Sequence, residues 1–219
     1  MSLSAELLAH LVPARRLEER RGFRPSGVGA LDELLGGGWP RAALVELRGR
    51  RSSGRTAILY ASLARAIAAG ETVALVDVGG ALDPRAAAAA GIALPRLLWI
   101  RSPPAQALKA ADMVVAAGGF DLVAVDLGDD RPRAPSAAWI RLKHGAERQG
   151  TTILVATAAR AVGSFAAAAV ELGAAAPAFL APGPPLFHGL RAQATFERGK
   201  GAVFDEGARC AWLAFSYRS

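Results

Sequence analysis

Residues 44–56 read LVELRGRRSSGRT, a short apolar strand pattern followed by a loop of small and basic residues. Glycines stand at both ends of the loop, at Gly49 and Gly54, and an amphipathic helix pattern continues from Thr56. Glycine lets successive backbone N–H groups turn inward around a phosphate, and the positive end of the following helix points at the same place. The stretch therefore predicts a phosphate-binding loop between a strand and a helix.

This loop departs at one fixed position from the pattern G-x-x-x-x-G-K-[ST]. Arg55 stands where the pattern requires lysine, and a planar guanidinium does not fit between terminal phosphates as a compact ammonium does. The positive charge is kept while its geometry changes, so we expect weakened nucleotide binding. The predicted nucleotide-binding residues of the loop are Gly49, Arg50, Arg51, Ser52, Ser53, Gly54, Arg55 and Thr56.

Apolar runs alternate with amphipathic stretches around this loop, which is typical of a parallel sheet covered on both faces. The predicted strands are 44–47, 72–78, 97–100, 122–126 and 152–157, and the predicted helices are 56–69, 84–90, 105–117 and 136–149. Residues 190–197 alternate apolar and polar side chains, and 210–215 form another apolar run. We predict an α/β fold, mainly a parallel sheet flanked by helices, with antiparallel strands added near the C-terminus and a loop at 174–185.

The length of 219 residues favours one core domain, which we place at 24–219 after an N-terminal helix and linker at 1–23. The sequence contains no window of about 20 apolar residues free of charge or proline, and its first dozen residues lack a basic leader. We therefore expect a cytoplasmic protein without a membrane span. The single cysteine and three scattered histidines predict neither a disulfide nor a metal cluster.

A formal charge of +7 suits a polyanionic partner or an acidic protein surface. The arginine-rich composition explains the same charge without any such partner, so charge alone leaves both interpretations open.

Asp126 ends the apolar strand pattern 122–126, where enzymes with a phosphate-binding loop hold the aspartate that orients a Mg²⁺-bound water. Together with the hydroxyl of Thr56, it gives the chain a predicted pair of magnesium ligands.

Three segments resemble bacterial RecA. They are the approach to the loop, SGVGALD and LGGGWP within 26–40 with VEL at 45–47; the loop itself; and VDVGGALDP at 76–84. The likeness covers roughly residues 24–160 and implies a RecA-like P-loop core. Within it, Asp83 matches the aspartate that contacts adenine in the family.

The departures from RecA imply that the chain is not an ATP-hydrolysing enzyme and has no catalytic residues. Gly79 replaces the glutamate that activates water, Ala86 replaces the tyrosine that stacks on adenine, and Thr157 replaces the glutamine that senses the γ-phosphate. Each lost group acts on positioning or on charge in the transition state. ATP or ADP with Mg²⁺ is expected to bind weakly, and no cofactor is required.

A short RecA paralogue with these losses resembles the ImuA family, since the regions that form the DNA-contacting loops of RecA are also short here. This resemblance implies an adaptor for SOS-induced mutagenesis and translesion DNA synthesis, within the DNA repair response. The implied partners are an ImuB-like Y-family polymerase homologue, an error-prone replicative-type polymerase complex and RecA. A partner strand is expected to add to a sheet edge at the surface that docks subunits in RecA.

Two other functions remain open at this point. One is an active small RecA-like or KaiC-like ATPase in which Asp77 or Asp129 replaces the missing glutamate. The other is a RecA paralogue that binds DNA weakly, without catalysis, through Arg50, Arg51 and Arg55 in a positive loop.

Overall fold

The computed structural model describes residues 22–129, 134–180, 186–199 and 210–216. Almost all of the predicted N-terminal helix and linker lies outside these residues. The described end of this segment is not a linker, because Phe23–Arg24 forms a strand, β1, that pairs antiparallel with β2 at Trp39–Pro40. The remaining strands are β3 Leu44–Gly49, β4 Val73–Val78, β5 Leu97–Ser102, β6 Leu122–Asp126, β7 Thr152–Thr157, β8 Ala168–Leu172, β9 Ala176–Leu180, β10 Leu186–Gly199 and β11 Cys210–Ser216.

Five α-helices lie in the described part of the chain. They are α1 Gly29–Leu34, α2 Arg55–Ala68, α3 Pro84–Ala89, α4 Ala107–Ala117 and α5 Ser136–Gln149. Local chemistry sets several of their ends. Asp83 caps α3 by accepting a hydrogen bond from the N–H of Arg85 at 2.8 Å, with Pro84 at the first helical position. Gly150 ends α5 in the left-handed conformation that glycine adopts without strain.

Strands β3 to β11 form one sheet in the described residues, in the order β11-β10-β8-β3-β7-β6-β4-β5, with β9 also paired to β10. Neighbours from β8 to β5 are parallel, whereas β10 is antiparallel to β8, β9 and β11. The predicted α/β class and the antiparallel C-terminal extension are therefore confirmed. Because β3, β6 and β7 are parallel, their carboxyl ends at Gly49, Asp126 and Thr157 meet at the same edge of the sheet.

Apolar clusters cover both faces of the sheet. Helices α1, α2 and α3 pack on one face through side chains that include Leu31, Ile58, Leu63 and Ala87. Helices α4 and α5 pack on the other through Leu108, Val115, Trp139 and Leu142. None of the helices in the described ranges has the length and apolar character needed to cross a bilayer.

The predicted loop at 174–185 is partly wrong, because residues 176–180 form strand β9. This strand exists through its pairing with β10, a contact between separate segments that local composition does not reveal. Pro177 is compatible with a strand at the edge of a sheet. The rings of Phe179 and Phe187 meet edge to face across the pair, with centroids 6.3 Å apart.

Candidate nucleotide-binding site

The loop at 49–56 lies between β3 and α2, so the predicted strand–loop–helix setting is confirmed. A Cβ at Gly49 would overlap the Oγ atom of Ser53, and one at Gly54 would lie 2.9 Å from the Cε2 atom of Phe215. Gly54 also has φ +89°, in the left-handed region that favours glycine. A side chain at either position would displace a neighbouring side chain, and at Gly54 the backbone conformation also favours glycine.

The side chain of Arg55 turns back into its own loop. Its Nη1 atom donates a hydrogen bond of 2.6 Å to the carbonyl oxygen of Gly49, and the residue is only 9% exposed. The guanidinium thus reaches from the end of the loop to its first residue. A phosphate group would compete with it for that space, because both need the interior of the same turn.

Other groups of the loop are also used internally. The N–H of Ser53 donates to the carbonyl oxygen of Arg50 at 3.2 Å, although a phosphate cradle would turn such a donor toward its ligand. Asp129 faces the cations of the loop, since it pairs with the Nε atom of Arg51 and lies 3.9 Å from Nη2 of Arg55. In this arrangement the loop residues do not fit a bound triphosphate as the sequence pattern requires.

The predicted magnesium ligands lie at one edge of the sheet. Thr56 is exposed in the first turn of α2, and Asp126 ends β6 with 7% exposure. The Oδ1 atom of Asp126 accepts a hydrogen bond from the N–H of Gly128 at 2.9 Å. Burial raises the pKa of Asp126 above its usual value, while the Gly128 bond and the charge of Arg55 act in the opposite direction without cancelling it.

The structure places all three residues that depart from the RecA pattern. Gly79 has φ +89° and no atom within 4 Å of its Cβ position. A glutamate there would have room for its side chain, but its backbone would be strained. Thr157 is buried, and its Oγ1 atom donates to the carbonyl oxygen of Ala159 at 3.0 Å. Ala86 lies exposed on α3.

Asp83 is exposed, and its carboxylate is used as the cap of α3. Its own N–H donates to the hydroxyl of Tyr60 at 3.3 Å, which joins the start of α3 to α2. The sequence did not predict three contacts of the site. They join Tyr60 to Asp83, Asp129 to the loop arginines, and Phe215 to Gly54. Opposite charges on Arg51 and Asp129 are the only sequence signal for any of them, and they stand 78 positions apart.

The buried Asp126 predicts a specific pH dependence of stability. Its folded-state pKa lies above the unfolded value, so ionisation costs free energy in the folded state; the cost is absent at acid pH and grows as the pH rises through the folded pKa. We expect Asp126→Asn, whose amide oxygen still accepts from Gly128, to raise Tm at neutral pH. The gain should shrink toward acid pH in melting curves, at about 2–4 °C for each kcal/mol.

Asp112→Asn is the control for this substitution, because Asp112 pairs with Arg141 at the surface, 3.2 Å away. A fall in Tm at neutral pH for Asp126→Asn alone would contradict the account and would show that the carboxylate is held in its charged form.

The position of Arg55 predicts a gain of nucleotide binding on substitution. Arg55→Lys removes the planar group that bonds to Gly49, so we expect Mg²⁺-ATP to stabilise this variant much more than the wild type. Binding to the native state adds about 2.7 kcal/mol at a ligand concentration one hundred times Kd, which thermal shift detects. Arg50→Lys is the matched control, and equal stabilisation of the wild type and Arg55→Lys would count against a loop filled by its own side chain.

Comparison with known proteins gives the chain its relatives. Protein RecA of Francisella tularensis subsp. novicida is 41% identical over 105 residues, which cover 47% of this chain and 29% of the relative. Protein RecA of Francisella tularensis subsp. tularensis matches to the same extent. The chain therefore spans less than a third of the length of the curated relatives it matches.

A crystal structure of the RadB recombinase superposes with a TM-score of 0.66 at 19% identity, covering 87% of this chain and 94% of that one. This likeness supports the fold alone. The profile of the RecA N-terminal domain matches residues 16–134, which is more than half of the chain. On this match, the chain belongs to the RecA N-terminal domain family.

Proposed function

We propose that the chain is a RecA-like adaptor that does not hydrolyse ATP and that acts in damage-induced, error-prone DNA synthesis. RecA-family homology makes a role in DNA repair or recombination the general expectation. The observation that carries the finer proposal is the Arg55 guanidinium, which bonds to Gly49 inside the phosphate-binding loop. A loop filled in this way is available as a structural element and not as a site of phosphate chemistry.

The competing ATPase function needs a carboxylate to replace the missing glutamate, and neither sequence candidate is free. Asp77 accepts hydrogen bonds from the N–H groups of Ala81 and Leu82 at 2.9 and 3.1 Å. It also accepts one from Nε1 of Trp99 at 3.0 Å. Asp129 faces Arg51 and Arg55, so its charge is directed at cations rather than at a water. General-base help from either group would require these contacts to break.

The competing DNA-binding function is weakened by the same ion pairs. Arg51 and Arg55 both face Asp129, which leaves Arg50 as the loop arginine with no ion pair in the described residues. One loop arginine without an ion pair supplies little of the phosphate neutralisation on which non-specific DNA binding depends.

The edge strand β5 is the proposed docking surface for an ImuB-like, Y-family-related partner. It pairs with β4 on one side, and no other strand in the described ranges covers its second side. Leu98 on this strand is 44% exposed, and Arg101 stacks over the ring of Trp99 at 5.1 Å. A partner strand adding here would gain main-chain hydrogen bonds and an apolar contact at Leu98.

Binding to the ImuB-like partner tests this assignment. Leu98→Glu should weaken the complex about tenfold or more, because a carboxylate would be desolvated in an apolar contact. Ile140→Glu is the matched control, since Ile140 is 41% exposed but lies on α5, away from this edge. The measurement is Kd by titration of the purified partner.

Two outcomes would contradict the proposal. One is unchanged affinity in Leu98→Glu, which would move the docking surface elsewhere. The other is failure of the wild type to form any complex with an ImuB-like protein, which would remove the adaptor role itself.

A further inference from the structure

The edge strand β5 lies within a stretch of the chain whose charged side chains are all positive. Residues 84–111 contain no aspartate or glutamate, and their basic residues are Arg85, Arg96, Arg101 and Lys109. All four basic side chains are exposed, and none of them forms an ion pair with another described residue. The described part of the chain therefore leaves the positive charge around this edge without a partner.

Arg101, on β5 itself, is held in place by its neighbours. Its guanidinium lies over the ring of Trp99, 5.1 Å from the centroid, and its Cδ atom lies 3.7 Å from the position of a Cβ atom at Gly80. The Nε1 atom of Trp99 donates a hydrogen bond of 3.0 Å to the Oδ2 atom of Asp77, which fixes the orientation of the ring. A guanidinium stacked in this way has little side-chain freedom left to lose when it binds a ligand.

The acidic residues around Arg101 have other partners. Asp77 is in register with Arg101 on the neighbouring strand β4, but it is only 1% exposed and accepts three hydrogen bonds from other groups. The carboxylates that border the positive stretch in sequence are also in use, because Asp83 caps α3 and Asp112 pairs with Arg141. Within the described ranges, the N–H groups at the rim of the Arg101 guanidinium have no hydrogen-bond acceptor.

We propose that β5 docks an extended acidic segment of a partner polypeptide, with a carboxylate of that segment bound to the guanidinium of Arg101. A carboxylate accepts two parallel hydrogen bonds from the rim of a guanidinium, and such a charged pair is stronger than a neutral hydrogen bond. The proposal rests on the proposed adaptor function in that β5 is the docking surface. It adds the chemistry of the segment that docks there.

The two faces of β5 also determine the residue pattern of that segment. Side chains alternate between the faces of a strand, so Trp99 and Arg101 lie on one face and Leu98 and Ile100 on the other. A strand that adds to β5 alternates in the same way, and its side chains meet those of β5 face by face. The docked segment is therefore acidic on the face of Arg101 and apolar on the face of Leu98.

Single-stranded nucleic acid is the other polyanion that arginine and tryptophan side chains bind. Its bases stack on open aromatic rings, whereas the guanidinium of Arg101 covers a face of the Trp99 ring. The same ring is half-buried against the apolar cluster on the α2 side of the sheet. A peptide strand, in contrast, satisfies the main-chain groups at the edge of β5 as well as Arg101, so the contacts favour an acidic peptide.

Fluorescence polarisation with a defined peptide tests the proposal without the ImuB-like protein. The probe is a short labelled peptide in which valine and glutamate alternate, compared with the same peptide carrying glutamine in place of glutamate. We expect the glutamate peptide to bind the whole chain about tenfold more tightly at low salt, as for the gain of a charge-assisted hydrogen bond. Arg101→Gln should remove most of this preference. Arg148→Gln is the matched control, because Arg148 is an exposed arginine in the last turn of α5 and should leave the preference unchanged.

Two further comparisons separate strand addition at Arg101 from general attraction to a basic protein. A peptide of the same composition, with its valines and glutamates in separate blocks, should bind more weakly because it cannot match the two faces of β5 together. Arg101→Lys should restore only part of the preference, since an ammonium keeps the charge but lacks the planar pair of donors. Melting curves check that each variant is folded.

Equal binding of the glutamate and glutamine peptides, or none, would overturn the proposal. So would an undiminished preference in Arg101→Gln, or equal binding of the alternating and block peptides. Preferential binding of single-stranded DNA that Arg101→Gln abolishes would also overturn it, in favour of nucleic acid. Failure of the adaptor function gives a different result, in which the preference for the glutamate peptide remains but no complex forms with an ImuB-like protein.

Discussion

The hydrogen bond from Arg55 to the carbonyl oxygen of Gly49 is the interaction on which the functional account depends. A guanidinium that is largely removed from water needs oxygen atoms nearby to compensate for its lost hydration. Here the carbonyl oxygen of Gly49 accepts a hydrogen bond from it, a carboxylate oxygen of Asp129 lies 3.9 Å away, and the charge of Asp126 interacts with it as well. The cation that would otherwise stabilise phosphate charge is thus used to hold the loop together. Phe215 of the C-terminal strand closes against Gly54, so the same loop also joins the parallel core to its antiparallel extension.

A fold can keep its architecture when its chemistry is lost, because packing and catalysis depend on different residues. The apolar strands β3, β6 and β7 are fully buried and specify the sheet irrespective of the loops at their carboxyl ends. The side chains in those loops can therefore differ from those of RecA without loss of the sheet. The β5 edge, which no other strand of the described residues covers, is the docking surface that we propose on this chain.

Much of the parallel core was predictable from sequence because buried strands and amphipathic helices have clear periodic signals. The bounds of β6, α5 and β7 are as predicted, and the loop at 49–56 lies in its predicted setting. Strand β9 was not predictable, since it is stabilised by pairing with β10 rather than by its own composition. The inward turn of Arg55 was not predictable either, because the sequence shows that lysine is replaced but not which oxygen the guanidinium chooses. The assignment of Asp83 and Asp126 to nucleotide binding stays a prediction, and in the structure each carboxylate accepts a hydrogen bond from the N–H group two residues further along the chain.

We propose that phosphate chemistry has been lost from a retained phosphate-binding loop. The most direct test of this claim is magnesium-dependent release of inorganic phosphate from ATP, measured for the purified wild type beside Asp126→Ala. The account predicts that the two proteins release phosphate at the same background rate, with or without the partner protein. Release by the wild type that requires Mg²⁺ and disappears in Asp126→Ala would contradict it.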